Sequence, residues 1–443
     1  MDSAQDVPQD LSAMPELFPQ PARACRASGK RIVFVIDRLA GRGGGAERVL
    51  TQVANALAAR GHLIEIVTHE RSKAAPFFAL VPGVILTRLR PPRPYWRAPF
   101  DKLRGPVERH GHHLPGLRHL AWFSRHGGFW RRLARYLGVL RPDAVIAVMP
   151  PAITALSHAT RHLRRNGVMI RTLAATHNTP EQDFCNPSRW GPGPLDRARR
   201  VAALQDMDRI AVLLAQYRDW YTPALRARIT VIANPISPVA LPMRADPASA
   251  RRIVTVGRLA EVKRLDLLID AFALLAPDFP DWQLHIYGEG LLHDSLSARI
   301  DRLSLGHAVT LMGQHRDMAQ VYRNAALLAH PAEYEGFPLA VSEALAAGVP
   351  VLGFADCSGV NALVRHGVNG VLVPAPQGMT RAARVQAFAA ALKGLMAAPA
   401  QRAALGAQGP DSMASYAPET IMDAWEVLAL ADLPEPAPCT EGA

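Results

Sequence analysis

The sequence predicts an α/β protein made of two doubly wound, parallel-sheet domains that face each other across a cleft. Three observations carry this. Short apolar runs alternate with segments of helical period in two separate blocks. A stretch rich in proline and alanine, residues 231–250, divides the blocks and reads as an interdomain linker. No apolar run approaches the roughly 20 residues of a membrane-crossing helix, so the apolar 49% of the chain is left to form buried cores.

Taken in order, residues 1–28 are proline-rich and are expected to be a disordered leader; they lack the basic start and apolar centre of a signal peptide. The first domain is expected over 29–235. It opens with a strand at 31–36 (RIVFVI), a glycine loop, a helix at 46–59, and strands at 63–67 and 84–89. The alternation breaks over 88–141, a basic insertion with interleaved aromatics, in which 117–140 reads as an amphipathic helix. Strands follow at 144–148, 169–175 and 210–214. The second domain, 236–415, is expected to hold strands at 253–256, 283–287, 309–312, 325–329, 349–352 and 370–373, with helices at 265–275, 292–303 and 381–396. A final helix, 418–430 within a segment 416–432, is expected to pack back on the first domain, and 433–443 to be a disordered tail. The carboxyl ends of both sheets would then line the cleft, where such folds bind ligands.

The formal charge of the 443-residue chain is +12, which points to an anionic ligand or surface. Cys25, Cys185, Cys357 and Cys439 are far apart and form no CxxC pair, so neither a zinc site nor a disulfide framework is expected, and a cytoplasmic protein fits. Asp206-Met207-Asp208 is formally a DxD pair but reads as a helix end, and no metal is expected.

The stretch HPAEYEGFPLAVSEALAAGVPVL, residues 330–352, organises the second block. Glu335 lies in the loop Glu335-Gly336-Phe337-Pro338, and Glu343 lies in the helix that Pro338 opens. The amides of Gly336, Phe337 and Leu339 stand at that helix N-terminus, where unpaired N–H groups and the helix dipole favour an anion. Upstream, the strand at 253–256 ends in Gly257-Arg258, and Lys263 comes as the next helix begins. Two fixed cations there suit a diphosphate, Arg as a planar fork and Lys as a point charge. By spacing alone Arg258 and Lys263 are equally readable as solvated surface charges, Glu343 as a helix-surface acid, and His177 as a satisfied histidine at a strand end.

Read as a set, Gly257-Arg258 with Lys263, Gly288-Glu289-Gly290, and Glu335-Gly336-Phe337-Pro338 with Glu343 resemble the second domain of the family 4 glycosyltransferases of GT-B architecture, with its two Rossmann-like domains. Gly44-Gly45-Ala46-Glu47-Arg48-Val49 is similar to the glycine loop of the same family. The resemblance runs from about residue 31 to 373 and is weakest over 75–140. It implies a retaining enzyme that uses a nucleotide-sugar donor as co-substrate and needs no metal or cofactor. Arg258 and Lys263 would hold the donor diphosphate, Glu343 the ribose, and Glu335 the donor sugar, with His177 close to that sugar. The amides of Gly336, Phe337 and Leu339, after Gly257, Gly288, Gly290 and Pro338 have shaped the turns, would face sugar and phosphate. Gly44 and Gly45 would admit the phosphate or acceptor. Ala362 stands where many relatives carry a glutamate.

The insertion holds Arg118, Arg125, Arg131, Arg132 and Arg135 among Trp122, Phe123, Phe129 and Trp130. It is open to three readings: a solvated insertion with its aromatics in the core, a surface for anionic membrane, or a nucleic-acid surface. No nucleic-acid module is recognisable and none is expected as a partner. A peripheral position on the inner face of the cytoplasmic membrane would suit an acceptor that is a glycan or a polyprenyl-diphosphate-linked sugar, as the resemblance implies, in exopolysaccharide, capsule or lipopolysaccharide synthesis. Two alternatives remain. Gly41-x-Gly43-x-x-Ala46 with Glu70 partly satisfies the dinucleotide fingerprint of an NAD-dependent oxidoreductase. A non-catalytic, membrane-binding homologue is the other.

Overall fold

The computed structural model describes residues 29–90, 116–191, 193–236, 251–315 and 317–431. The first sheet is formed by β1 (Arg31–Ile36), β2 (Leu63–Thr68), β3 (Val84–Arg88), β4 (Ala144–Val148), β5 (Arg171–Ala175), β6 (Arg209–Val212) and β7 (Ile229–Val231). All pairings are parallel, in the order β3-β2-β1-β4-β5-β6-β7. The second sheet holds β8 (Arg252–Val256), β9 (Gln283–Tyr287), β10 (Val309–Gly313), β11 (Leu327–His330), β12 (Val351–Phe354) and β13 (Gly370–Val373). It too is parallel, in the order β10-β9-β8-β11-β12-β13. Helices cover both faces of such sheets, which is why the central strands are apolar throughout: Val33, Val35 and Ile36 are fully buried, as are Leu327, Leu328 and Ala329.

Each sheet reverses its strand order once, between β1 and β4 and between β8 and β11. At such a point neighbouring strands send their following segments in opposite directions and leave a crevice at their carboxyl ends. Arg258 and Lys263 follow β8, and Glu335 follows β11, so these residues share the second crevice.

Several elements differ from their sequence-based bounds. The strand expected at 349–352 begins at Val351, because Pro350 has no N–H for the ladder; its carbonyl still accepts from Leu328 N at 3.0 Å. The expected linker begins inside β7, and the chain beyond it packs: Ile232, Ala233 and Ile236 are buried, and Ile236 N donates to Tyr416 O at 2.9 Å. Residues 237–250 lie outside the described residues, as do the expected leader, the tail and 91–115 of the insertion. The final helix, Pro418–Leu430, lies on the first domain: Glu426 bonds Arg60 and His62, at 2.6 and 2.9 Å, and Leu428 O accepts from Arg171.

Most of the described part of the insertion is the helix Arg118–Leu140, and it corrects the membrane reading of that helix's aromatics. Trp122 and Phe129 are buried, and Trp130 is partly buried against the core. Trp122 packs on His126 and His158, with the Arg199 guanidinium 3.8 Å from its ring centre. The helix Met149–Arg165 supplies much of this seat, and a strip of aromatics facing a neighbouring helix looks the same in sequence as one facing lipid. Phe123 is the aromatic of this helix that stays exposed. Among the described residues no helix is long and apolar enough to cross a membrane.

Candidate active site

The site is built on two loops at adjacent strand ends. After β8, Gly257 turns the chain, Arg258 is exposed, and the Lys263 side chain folds back over the turn; a Cβ on Gly257 would lie 3.1 Å from Lys263 Cε. After β9, Gly288 has φ +136°, and a Cβ there would stand 1.9 Å from the Gly257 carbonyl oxygen. Gly290 likewise approaches the Leu259 carbonyl, at 2.4 Å. These glycines stack two backbones tightly and form the floor beneath Lys263. The Arg258 side chain has no ion-pair partner among the described residues.

After β11, the chain from buried His330 leads to Glu335. Lys263 Nζ donates to Glu335 Oε1, and His330 Nε2 lies 2.9 Å from the same oxygen. Burial alone would raise the Glu335 carboxyl; the Lys263 ammonium and the His330 hydrogen bond outweigh it and bring its pKa to about 2. Burial lowers the pKa of His330, so its neutral ring would serve as a fixed donor. The backbone is pinned too: Tyr217 OH donates to the Glu335 and Gly336 carbonyls, each at 2.8 Å, and Glu335 N donates to Ser358 O at 3.2 Å.

At Gly336 the backbones of the two domains pack closely against each other. A Cβ there would stand 2.6 Å from Asn178 Cα and 2.8 Å from His177 O, both backbone atoms of the first domain. Next in the chain, Phe337 is buried against Tyr416 and Pro338 precedes the helix Leu339–Ala346. Among the described residues the amides of Gly336, Phe337 and Leu339 have no hydrogen-bond acceptor, which leaves them open to a ligand oxygen.

Glu343, on that helix, is buried, and both oxygens are engaged: Oε1 with Arg48 Nη1 at 2.6 Å, and Oε2 with Tyr322 OH at 2.9 Å. A carboxylate has about four lone-pair directions, so two remain for a ligand diol. Arg48 belongs to the helix Gly45–Ala59 that the glycine loop opens. Gly45 meets Leu339 across the cleft, its Cβ position 3.6 Å from Leu339 Cδ1. At Gly44 the Glu47 carboxylate folds back over the helix end, and a Cβ there would lie 2.3 Å from Glu47 Oε2, the movable tip of that side chain.

His177 follows β5, and its Nδ1 is sealed from water without a partner among the described residues. Burial lowers its pKa to about 4, so it is neutral near pH 7. Nearby, the buried Asp183 has its pKa pushed up to about 6 by burial, and its Oδ1 accepts from Trp190 Nε1 at 3.4 Å. The structure thus brings Lys263, His330 and Glu335 together, sets Arg258 on the same loop as Lys263, and places His177 beside Gly336. Arg48, Tyr322, His330, Tyr217 and Asp183 complete the site, and sequence reasoning did not assign them. Arg48 lay inside the glycine-loop motif, but its partner is 295 residues away.

Other candidate features serve the fold. Asp206 takes Ser157 and Arg161, and Asp208 takes Thr172 and Arg164, so both carboxylates of the DxD pair tie helix to strand. Glu70, the acid a dinucleotide reading would need, is buried and accepts the amides of Leu39 and Ala40 at 3.2 Å. Among the described residues no three His, Cys, Asp or Glu side chains cluster as metal ligands would.

The site's order along the chain matches two family profiles. One described as Glycosyltransferase Family 4 covers residues 43–239, and one described as Glycosyl transferases group 1 covers 245–411. Among named proteins the chain is similar to an exopolysaccharide phosphotransferase of Streptomyces coelicolor, 28% identical over 87% of this chain and 39% of that protein. The chain therefore spans about two fifths of that relative's length. It is also 27% identical to an uncharacterized glycosyltransferase of Haemophilus influenzae, over 77% of this chain and 86% of that one. In fold it is similar to a mutant of S. aureus TarM solved with UDP, with a TM-score of 0.67 at 14% identity over 90% of this chain and 99% of that one.

Proposed function

The chain belongs to the group 1 glycosyltransferases of family 4, and from that premise we propose a retaining transferase that moves a hexose or N-acetylhexosamine from a UDP- or GDP-sugar to a growing, lipid-linked surface glycan. The observation that carries it is the convergence of Lys263, His330 and Glu335 at the crevice between β8 and β11, one loop from Arg258 and one helix from Glu343. UDP in the TarM structure, and the exopolysaccharide named for the Streptomyces relative, support this choice of donor and setting.

In the proposed reaction the bond between the sugar's anomeric carbon and the β-phosphate oxygen breaks, and the acceptor oxygen bonds to the same face of that carbon. The acceptor proton passes to the departing phosphate oxygen. Negative charge grows on the diphosphate as it leaves, so fixed cations aimed there lower the barrier. Arg258 and Lys263 are assigned that task, with the open amides of Gly336, Phe337 and Leu339 adding neutral donors. The Glu343 carboxylate takes the ribose hydroxyls. Glu335 is assigned to the sugar hydroxyls and not to nucleophilic attack: an anion stabilised by Lys263 and His330 down to a pKa of about 2 is a weak nucleophile. Neutral, half-buried His177, beside Gly336, is assigned to the donor sugar. The chemistry calls for no metal or cofactor, and a place at the cytoplasmic face of the membrane would bring nucleotide sugar and lipid-linked acceptor together.

The test is a transfer assay with labelled UDP- and GDP-sugars and a bacterial lipid extract. Label entering the lipid phase from one nucleotide sugar, with retained anomeric configuration by NMR, is expected. Inverted product, or thermal stabilisation by NAD(H) and by no nucleoside diphosphate, would overturn the proposal.

A further inference from the structure

The loop that carries Glu335 is held from both domains, by different atoms. The second domain takes the carboxylate, through Lys263 and His330. The first domain meets the main chain. Tyr217 lies in the turn Ala215–Trp220 after β6, and its hydroxyl oxygen stands 2.8 Å from the carbonyl oxygens of both Glu335 and Gly336.

That contact decides where two amides point. A peptide unit is planar and trans, so its N–H projects opposite to its C=O. The carbonyl of Glu335 shares a plane with the amide of Gly336, and the carbonyl of Gly336 with the amide of Phe337. Carbonyls drawn to one hydroxyl therefore turn both N–H groups away from it. Those amides have no acceptor among the described residues. Two successive N–H groups facing one way suit an oxyanion.

Tyr217 is itself buried and anchored. It is 5% exposed, and burial raises its pKa, so the hydroxyl stays protonated and remains a donor. Its own N–H donates to Leu214 O at 3.1 Å. At the far end of the turn Trp220 stacks on Phe184, with 5.5 Å between ring centres. Phe184 is buried in the segment Glu181–Cys185, which follows the His177 loop. From the second domain, Glu335 N donates to Ser358 O at 3.2 Å, and Ser358 Oγ makes a longer contact of 3.5 Å to the Glu335 carbonyl. The short bonds to the two carbonyls thus come from the other domain. One hydroxyl hydrogen serves both, so its loss would leave two carbonyls without their donor at once.

We propose that Tyr217 is a positioning residue: it aims the Gly336 and Phe337 amides at the diphosphate oxygens of the nucleotide sugar, and does so only when the first domain has closed on the second. The inference rests on the transferase reading above for the identity of the ligand, but the bond that orients the amides does not. Closure by the acceptor domain is thereby joined to stabilisation of the departing diphosphate, where negative charge grows during transfer.

The test is Tyr217→Phe, which keeps the ring and removes the hydroxyl. With the nucleotide sugar that donates label in the transfer assay, kcat should fall about tenfold or more, while UDP affinity by isothermal titration changes less than about threefold. Wild-type kcat overturns the proposal. So does a loss of UDP affinity as large as the loss in kcat, which marks a general disturbance of the donor site. Gln216→Ala, at an exposed position of the same turn, controls for the turn itself. It should keep activity, and a loss equal to that of Tyr217→Phe overturns the proposal. A second arm needs no donor. In the ligand-free protein, Tyr217→Phe should quicken hydrogen exchange about threefold or more over 333–338, where Glu335 N is bonded, and leave 257–263 unchanged. Unchanged exchange over 333–338 overturns the proposal. An unaltered protein that binds no UDP would fault the donor reading, and the exchange arm would still decide the role of Tyr217.

Discussion

Arg48 of the first domain reaches across the cleft to Glu343 of the second, with Nη1 2.6 Å from Oε1. The acid assigned to the donor ribose is thus positioned by the domain assigned to the acceptor. Glu343 is mostly buried, and Tyr322 alone would be left to satisfy it if Arg48 were removed. Arg48→Ala should therefore weaken donor binding about tenfold, with a smaller change in kcat, as read from KM and kcat on the nucleotide sugar. Arg48→Lys should recover part of it, since the charge survives and the planar fork does not. An unchanged KM in Arg48→Ala would mean that Glu343 does not need its partner.

Gly336→Ala should separate activity from stability. The added methyl would meet the backbone of His177 and Asn178, which cannot swing aside as a side-chain tip can. The domains must part locally, straining the Tyr217 bonds to the Glu335 and Gly336 carbonyls. A cost of about 1–3 kcal/mol is expected for such overpacking, and the melting temperature should fall only modestly. Because the strain falls beside Glu335, kcat/KM should drop by more than tenfold. Wild-type turnover would show that the close approach is not needed for catalysis.

The Lys263–Glu335 pair fixes a pH dependence. The Glu335 pKa lies below its unfolded value, so its contribution to stability is full above about 4.5 and is lost as pH falls toward about 2. Lys263→Met removes the largest stabilising charge, leaving burial to raise the carboxyl. The acid-unfolding midpoint, followed by circular dichroism, should move to higher pH by about one unit or more. A midpoint that stays in place would show that the pair is not coupled to folding.

Trp122 is a core residue of the first domain. Trp122→Ala should destabilise by about 3–5 kcal/mol, measured by denaturant unfolding. Phe123→Ala, on the exposed side of the same helix, should cost well under half of that. Equal effects would contradict the packing of the helix Arg118–Leu140.

Most strands and their parallel, doubly wound arrangement in two sheets were legible because buried parallel strands write short, uniform apolar runs. Their ends were less so: Pro350 shifted β12 by removing an N–H, and β7 hid in a run of turn-forming residues. At the candidate site, motif spacing together with the family resemblance singled out Arg258, Lys263, Glu335, Glu343 and His177. It gave no view of what holds them. His330 reads as the polar end of an apolar run, and Asp183 as one acid among others, until folding sets each against its partner. Arg48 and Glu343 are joined only by the closing of two domains. The Trp122 strip misled for a related reason, since periodicity reports an apolar face but not what covers it.

Arg258 and Lys263 are proposed to hold the donor diphosphate. Isothermal titration with UDP tests it most directly, comparing the unaltered protein with Arg258→Ala. Arg258 is exposed and has no ion-pair partner among the described residues, so its removal should leave the melting temperature unchanged. UDP binding without added metal is expected, weakened about 10- to 100-fold in the variant. Equal UDP affinity in the two proteins would contradict it.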